Sequence, residues 1–320
     1  MQSQILTKLR PEHFNYRNES THALTALYGI LSPKENREPH LEIAKGLELL
    51  KSSTLIIDDI LDRSPKRNGV PSLYRVVGVE QALLIGEILK SQAVLRVSHA
   101  VEKLAPERLA RIIELFEETY TKICQGQLED MELQNRPIEK VKRKHYFEMI
   151  KLTSAFFISL PGVMAAILVG KKEEDVGRIS SFGLNIGIAY QIRDDILDIV
   201  GDQEYIGKAA MADIRAKKKR LPLIEAFMRS NTNDKEMFRK LLSKGSFLSK
   251  RDIPFIIDLI IRSRAISHCY QALLSFKQKA LNELRYWNDI NQKKQLVAFS
   301  ELLTDFQSLS QKSKERYGLA

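Results

Sequence analysis

The sequence predicts an all-α fold, and three observations carry that prediction. Apolar residues recur mostly at helical spacing. Glycine and proline are sparse, 15 and 10 in 320 residues, so long segments run without a breaker. Runs that alternate polar and apolar residues, the mark of a strand, are nearly absent.

In chain order, Asn18 to Leu31 reads as a first helix, capped by Asn18 or Ser20. Ser32–Pro39 reads as a loop, and Glu38 to about Asp62 as a long apolar-rich helix. Arg63–Pro71 is a loop, broken by Pro65, Gly69 and Pro71. Helices are then expected over 80–103, 106–134, 138–170, 173–200, 221–230, 234–244, 252–287 and 290–312. Gly201–Lys219 is polar and reads as a loop. No low-complexity linker divides the chain and no repeat of about 20–50 residues is evident. Residues 1–320 are therefore read as a single domain of packed helices.

Composition narrows the function. At 44% hydrophobic and 28% charged residues, the chain can bury a sizeable core. A net charge of +10 suits polyanions, anionic membranes or phosphorylated small molecules. The basic runs Lys217–Arg220 and Lys142–Lys144 lack interleaved aromatic residues, and no zinc-finger spacing appears. Nucleic acid is therefore disfavoured against a solvated basic surface with a phosphate site. Two cysteines far apart, Cys124 and Cys269, fit a reduced protein. Met1–Arg10 is polar and mixed, unlike a signal peptide, so a cytoplasmic protein is expected. The longest apolar stretch, Phe156–Gly170, spans 15 residues against about 20 for a membrane span. It reads as a buried helix kinked at Pro161. No transmembrane segment is expected, and peripheral contact with lipid-like substrates stays open.

One pentapeptide occurs twice. Asp-Asp-Ile-Leu-Asp stands at Asp58–Asp62 and again at Asp194–Asp198. On a helix, residues four apart share a face, so Asp58 pairs with Asp62 and Asp194 with Asp198. At roughly 6 Å and an effective dielectric near 20, such a pair repels by about 3 kcal/mol. Both copies are flanked by isoleucine and leucine, so a compensating cation is needed. Carboxylates without histidine or thiolate suit a hard ion, Mg2+ or Ca2+. Two such clusters facing each other would hold Mg2+ ions that clamp a diphosphate. Neither copy has an EF-hand loop pattern.

These residues resemble the trans-isoprenyl diphosphate synthases, the polyprenyl synthetase family, and most of all its geranylgeranyl-diphosphate-forming members. The family's first motif, similar to DDxxDxSxxRRGxP, is matched by Asp58–Pro71. Its second, similar to GxxxGxxFQxxDDxxD followed by GD, GK and D with a lysine, is matched by Gly183, Gly187, Tyr190-Gln191, Asp194–Asp198, Gly201-Asp202, Gly207-Lys208, Asp213 and Lys218. Gly126-Gln127 with Asp130 matches a mid-chain GQxxD. The resemblance runs from about residue 15 into the C-terminal helices.

The resemblance implies a helical bundle around a central cavity, a homodimer, and condensation of isopentenyl diphosphate with an allylic diphosphate. It implies roughly three Mg2+ ions bound with the diphosphate. Asp58, Asp62 and Asp194 would be direct ligands, with Asp59, Asp195 and Asp198 acting directly or through water. Arg67 and Lys208 would bind the allylic diphosphate, and Lys218 belongs to the same diphosphate-binding set. Gln191 would orient a ligand or touch the reacting cation, and Thr153 matches the threonine of the family's lysine–threonine pair. The small residues Ser53 and Thr54, one turn before Asp58, suggest a product of C20 or longer, or simply tight helix packing.

Departures cluster: those in the RRG loop, at an upstream histidine and in an N-terminal GKR belong to the acceptor side, and that in the lysine–threonine pair to the allylic side. The second arginine of the RRG loop is Asn68, an upstream histidine is Lys51, and the lysine of the lysine–threonine pair is Leu152, with Lys151 adjacent. An N-terminal GKR is best matched by Asn15-Tyr16-Arg17, with Lys8–Pro11 as a rival. Lys51 and Arg17 are the cations left to bind the acceptor. Besides an elongating synthase, a class I terpene synthase-like enzyme that ionises without condensing, and a non-catalytic subunit of a heteromeric synthase, are open readings.

Overall fold

Helices dominate the computed structural model, which describes residues 19–32, 37–67, 69–101, 106–200, 212–243, 248–249 and 251–306 and positions 309, 314, 317 and 319. In order they are α1 (Glu19–Leu31), α2 (Arg37–Leu61), α3 (Leu73–Val77), α4 (Val79–Val101), α5 (Pro106–Asn135), α6 (Arg143–Ile150), α7 (Phe156–Leu168), α8 (Glu173–Val200), α9 (Ala212–Arg215), α10 (Leu221–Arg229), α11 (Thr232–Ser243), α12 (Ile253–Arg262), α13 (Ala265–Glu283) and α14 (Ile290–Thr304). The chain forms two compact units. Met1–Glu118 with Leu160–Val176 make the first, and Thr119–Ser159 with Gly177–Ala320 the second.

In the first unit α2 packs along α4. Ile43, Leu47 and Leu50 on α2 are fully buried, as are Ala93 and Val97 on α4. Gly46 permits the approach, because a Cβ there would lie 2.8 Å from Val97 Cγ2. Further along, Leu55 and Ile56 pack with Leu73, Ala82 and Ile85. Ser53 is fully buried, which fits the packing reading of this small residue.

Helix α2 ends in a Schellman cap. Ser64 N–H donates to Asp59 O at 3.0 Å and Arg63 N–H to Ile60 O at 3.2 Å, with Arg63 left-handed at φ 52°. The expected loop Arg63–Pro71 contains a small hairpin, β1 (Lys66–Arg67) paired antiparallel with β2 (Val70–Pro71). The Asn68-Gly69 dipeptide is the signal for such a turn, and Gly69 has φ 80°. Asn68 itself lies outside the described residues.

The second unit is built round α8. Ile192 and Ile196 are buried with Tyr146, Leu221, Ile224, Ile256, Ile260 and Leu273. The expected helix 138–170 is divided into a 3-10 turn at Ile138–Lys140, α6, a π-helical turn at Lys151–Ala155, and α7. From Arg143 to Leu168 it winds without interruption and carries Pro161. These 26 residues pass for a membrane span by length and composition, yet 72% of the apolar window is buried inside the protein. The expected helix 252–287 breaks at Ser263–Arg264, where Arg264 is left-handed at φ 55°, and then ends in a 3-10 turn, Leu284–Tyr286. Helix α14 stops at Thr304, short of the expected 312. Among the described residues of the polar segment before α10, 212–215 form a helical turn, α9.

Candidate active site

Both acid motifs occupy the last turns of their helices, α2 and α8. There the unpaired carbonyls already present partial negative charge, which disfavours carboxylates and favours a cation. In the first motif the neutralising group is Arg67. Its Nε donates to Asp59 Oδ1 at 2.9 Å and its Nη2 to Asp58 Oδ2 at 3.0 Å. The hairpin delivers this side chain inward, since Arg67 is 6% and Asp59 1% exposed. Asp62 remains half-buried. Lys51, half-buried, lies on the same helix, and its carbonyl accepts from Thr54 Oγ1 at 2.9 Å.

In the second motif Asp195 points into the core while Asp194 and Asp198 are half-buried. Tyr146 Oη donates to Asp195 Oδ2 at 2.7 Å and Gln191 Nε2 to Asp195 Oδ1 at 2.9 Å. Burial pushes the Asp195 carboxyl up to about 6, against the pull of Arg220. Burial, and then the Asp195 charge, push the Tyr146 hydroxyl well above its usual range. Gln191 accepts from Ser154 Oγ at 2.7 Å. Thr153 Oγ1 donates to Met149 O at 3.2 Å within the π turn. The neighbouring Lys151 ammonium lies 5.7 Å from the centre of the Phe156 ring, which Lys122 approaches at 4.6 Å.

The basic run is not the solvated surface expected of it. Lys218 and Lys219 are 5% and 4% exposed. Lys219 Nζ donates to Gln134 O at 2.6 Å, at the carbonyl end of α5, and burial lowers its amine to about 8. Arg220 clasps Asp130 with both terminal nitrogens, at 3.0 and 3.2 Å, and donates Nε to Asp213 at 3.2 Å. Lys218 stands 3.7 Å from Asp213 and 4.0 Å from Asp130. Lys208 and Arg17 lie outside the described residues.

Among the described residues no three histidine, cysteine or acidic side chains are gathered closely enough to hold a metal ion. Arg67 draws Asp58 and Asp59 to itself, and Tyr146 holds Asp195. The donors are all carboxylate oxygens at helix C-termini, a set suited chemically to Mg2+.

The sequence pattern of the polyprenyl synthetase family matches residues 15–260. This chain belongs to that family. A geranylgeranyl diphosphate synthase of Sulfolobus acidocaldarius is 30% identical over 248 residues, 78% of this chain and 74% of its own. The crystal structure of a geranylgeranyl pyrophosphate synthetase from Pyrococcus horikoshii superposes with a TM-score of 0.77 at 28% identity, covering 89% of this chain and 84% of that one. A geranylgeranyl pyrophosphate synthase from Corynebacterium glutamicum, complexed with isoprenyl diphosphate and magnesium, superposes with a TM-score of 0.80 at 25% identity over 90% and 87% of the two chains. The all-α expectation is borne out, and the polyprenyl synthetase resemblance with it. Tyr146, Ser154, Lys219 and Arg220 had no assigned part in the sequence reading. Apart from Asp213, seven residues before Arg220, their partners are 37 to 90 residues away, so no local spacing could reveal them.

Proposed function

We propose that this polyprenyl synthetase-family prenyltransferase condenses isopentenyl diphosphate with an allylic diphosphate, giving a trans-prenyl diphosphate of C20 or longer. The observation that carries the reading is the pair of complete acid motifs, each toward the C-terminal end of its helix, within a family match that spans 15–260. Relatives named geranylgeranyl and geranylfarnesyl diphosphate synthases support the product range.

Asp58, Asp62 and Asp194 would hold Mg2+, with Asp59, Asp195 and Asp198 in support. Bound there, Mg2+ supplies charge that stabilises the departing diphosphate. The chain's own cations, Arg67, Lys208 and Lys218, would bind the phosphate oxygens, and Lys51 and Arg17 those of the acceptor. Thr153 and Gln191 would line the allylic side. Apolar helix faces would exclude water from the carbocation. Thr54, half-buried one turn before Asp58, is the small side chain that would face the growing hydrocarbon in this reading. The same reading takes the protein as a cytoplasmic homodimer working as one domain, without nucleic-acid partner or transmembrane segment. In its support, the one span-like helix among the described residues is mostly buried.

Asn68, Lys51 and Leu152, where the family has arginine, histidine and lysine, favour one second reading, ionisation without elongation. A single assay separates the two. Purified protein is incubated with Mg2+, labelled isopentenyl diphosphate and allylic diphosphates of five to twenty carbons. A longer diphosphate is expected, abolished by Asp58→Ala or by Asp194→Ala. A hydrocarbon or alcohol formed without isopentenyl diphosphate would replace condensation by the lyase reading. Neither product would refute both.

A further inference from the structure

Away from the acid motifs, three arginines gather around one buried carboxylate. Glu225 of α10 is 2% exposed. Arg143 of α6 grips it with two nitrogens, Nε donating to Oε1 and Nη2 to Oε2 at 2.6 Å. Arg229, one turn further along α10, donates Nε to the same Oε2 at 3.0 Å. Arg264 stands immediately before α13, and His268, four residues on, shares its face of that helix. Burial lowers the His268 imidazole first. The charges of Arg229, Arg143 and Arg264 lower it further, while Glu225 raises it. All four charged groups therefore lie within Coulomb reach of one imidazole.

The carboxylate holds two of the guanidiniums and leaves most of their donors unspent. A guanidinium carries five N–H groups in a planar fork. Arg143 gives two nitrogens to Glu225 and Arg229 gives one. Arg264 makes no side-chain hydrogen bond or ion pair among the described residues. Three guanidiniums against one carboxylate leave an excess of two positive charges. All three arginines are exposed, and His268 is half-buried beside them. A free surface arginine loses its rotamer freedom when it grips an anion. Here Arg143 and Arg229 are already held, so less is lost. Arg264 is left-handed at φ 55°, a conformation disfavoured for a residue with a Cβ and concentrated at functional sites. The fork matches the oxygens of a phosphate, and the charge excess matches its dianion better than a carboxylate.

We propose that Arg143, Arg229, Arg264 and His268 form an anion site between α6, α10 and α13 that takes a phosphate group, carried by a soluble phosphorylated molecule or by a lipid headgroup. The proposed binding of allylic and isopentenyl diphosphates uses none of these four residues. The anion site therefore stands or falls separately from that reading.

Two measurements on the full-length protein test it. In the first, inorganic phosphate is titrated calorimetrically into wild-type, Arg264→Gln and Arg264→Glu protein without divalent metal. Arg264 is exposed and holds no other side chain, so both variants should keep the wild-type urea midpoint. Arg264→Gln should weaken phosphate binding by about tenfold or more, the range for loss of one charged hydrogen bond, and Arg264→Glu should abolish it. In Arg264→Gln, kcat and the KM for allylic diphosphate should stay within about twofold. In the second, the same proteins are sedimented with phosphatidylcholine vesicles containing phosphatidic acid. Co-sedimentation that Arg264→Glu abolishes supports the site and assigns it to a lipid headgroup. Phosphate binding without co-sedimentation supports it and assigns it to a soluble phosphorylated molecule. Unchanged phosphate affinity in folded Arg264→Gln would overturn the proposal. So would a KM for allylic diphosphate that rises in step with the lost affinity, which would put the phosphate in the catalytic site. Wild-type protein that takes up neither phosphate nor vesicles would also overturn it.

Discussion

Replacing Arg67 by methionine keeps most of the side chain's length and deletes its charge. The guanidinium lies 2.7 Å from Asp59 and 3.0 Å from Asp58. At an effective dielectric near 20, each contact is worth about 6 kcal/mol of Coulomb attraction. Desolvation returns several kcal/mol per ion. The side chains of Arg67 and Asp59 are 7% and 1% exposed, so water cannot take over the lost partner, whereas Asp58 at 24% is partly screened. Removing one member of such a buried pair costs about 3–5 kcal/mol. Arg67→Met should therefore lower the unfolding free energy by that amount, measured by urea denaturation at pH 7 without divalent metal. Adding Asp59→Asn should recover at least about 1 kcal/mol, because the stranded charge goes with it. A loss below about 1 kcal/mol, the range of a solvated surface pair, would refute the argument.

Other consequences are equally direct. Gly187→Ala places its methyl 2.6 Å from backbone at Ala155, and should cost about 2–3 kcal/mol in the same denaturation assay. Burial lowers the Lys219 amine from 10.5 to about 8, so between those values the unfolded chain binds a proton that the folded one has released. Stability should rise with pH across that window and fall as pH drops through about 8, by on the order of 2 kcal/mol. Subtracting the profile of Lys219→Met isolates this slope, and a flat difference would refute the assignment. Thr54→Phe, half-buried one turn before Asp58, should shift the product to shorter chains on reversed-phase chromatography of the hydrolysed alcohols. An unchanged product length would place the floor of the hydrocarbon pocket elsewhere.

The helical class was legible because the 3.6-residue period of apolar positions outweighs anything local. Helix ends were legible where a breaker marks them, as around Ser32 and Pro71. They were illegible where a left-handed residue breaks a helix without glycine, as at Arg264. The hairpin was missed although Asn68-Gly69 announces it. The paired aspartates could be read as an acid pair on one face. That Asp59 and Asp195 turn inward, toward an arginine and a tyrosine, depends on contacts 8 and 49 residues away. The same limit explains the basic run. Charge alone says solvent, and only the tertiary fold shows that Lys219 closes the carbonyl end of α5 while Arg220 closes on Asp130.

The π turn at Lys151–Ala155 also says what kind of genetic change this site is sensitive to. It is one residue of excess length inside a 26-residue helix. Deleting a single residue there would let the helix rewind with a regular ladder. The flanking helices would keep their faces, because the turn itself holds the extra residue. The side chains within the turn, Ser154 among them, would be re-aimed although none had been substituted. Insertions and deletions are usually tolerated in loops and read as neutral. In this helix the residue count is itself a variable, and a frame-preserving loss of one codon would act on the site more strongly than most substitutions within it.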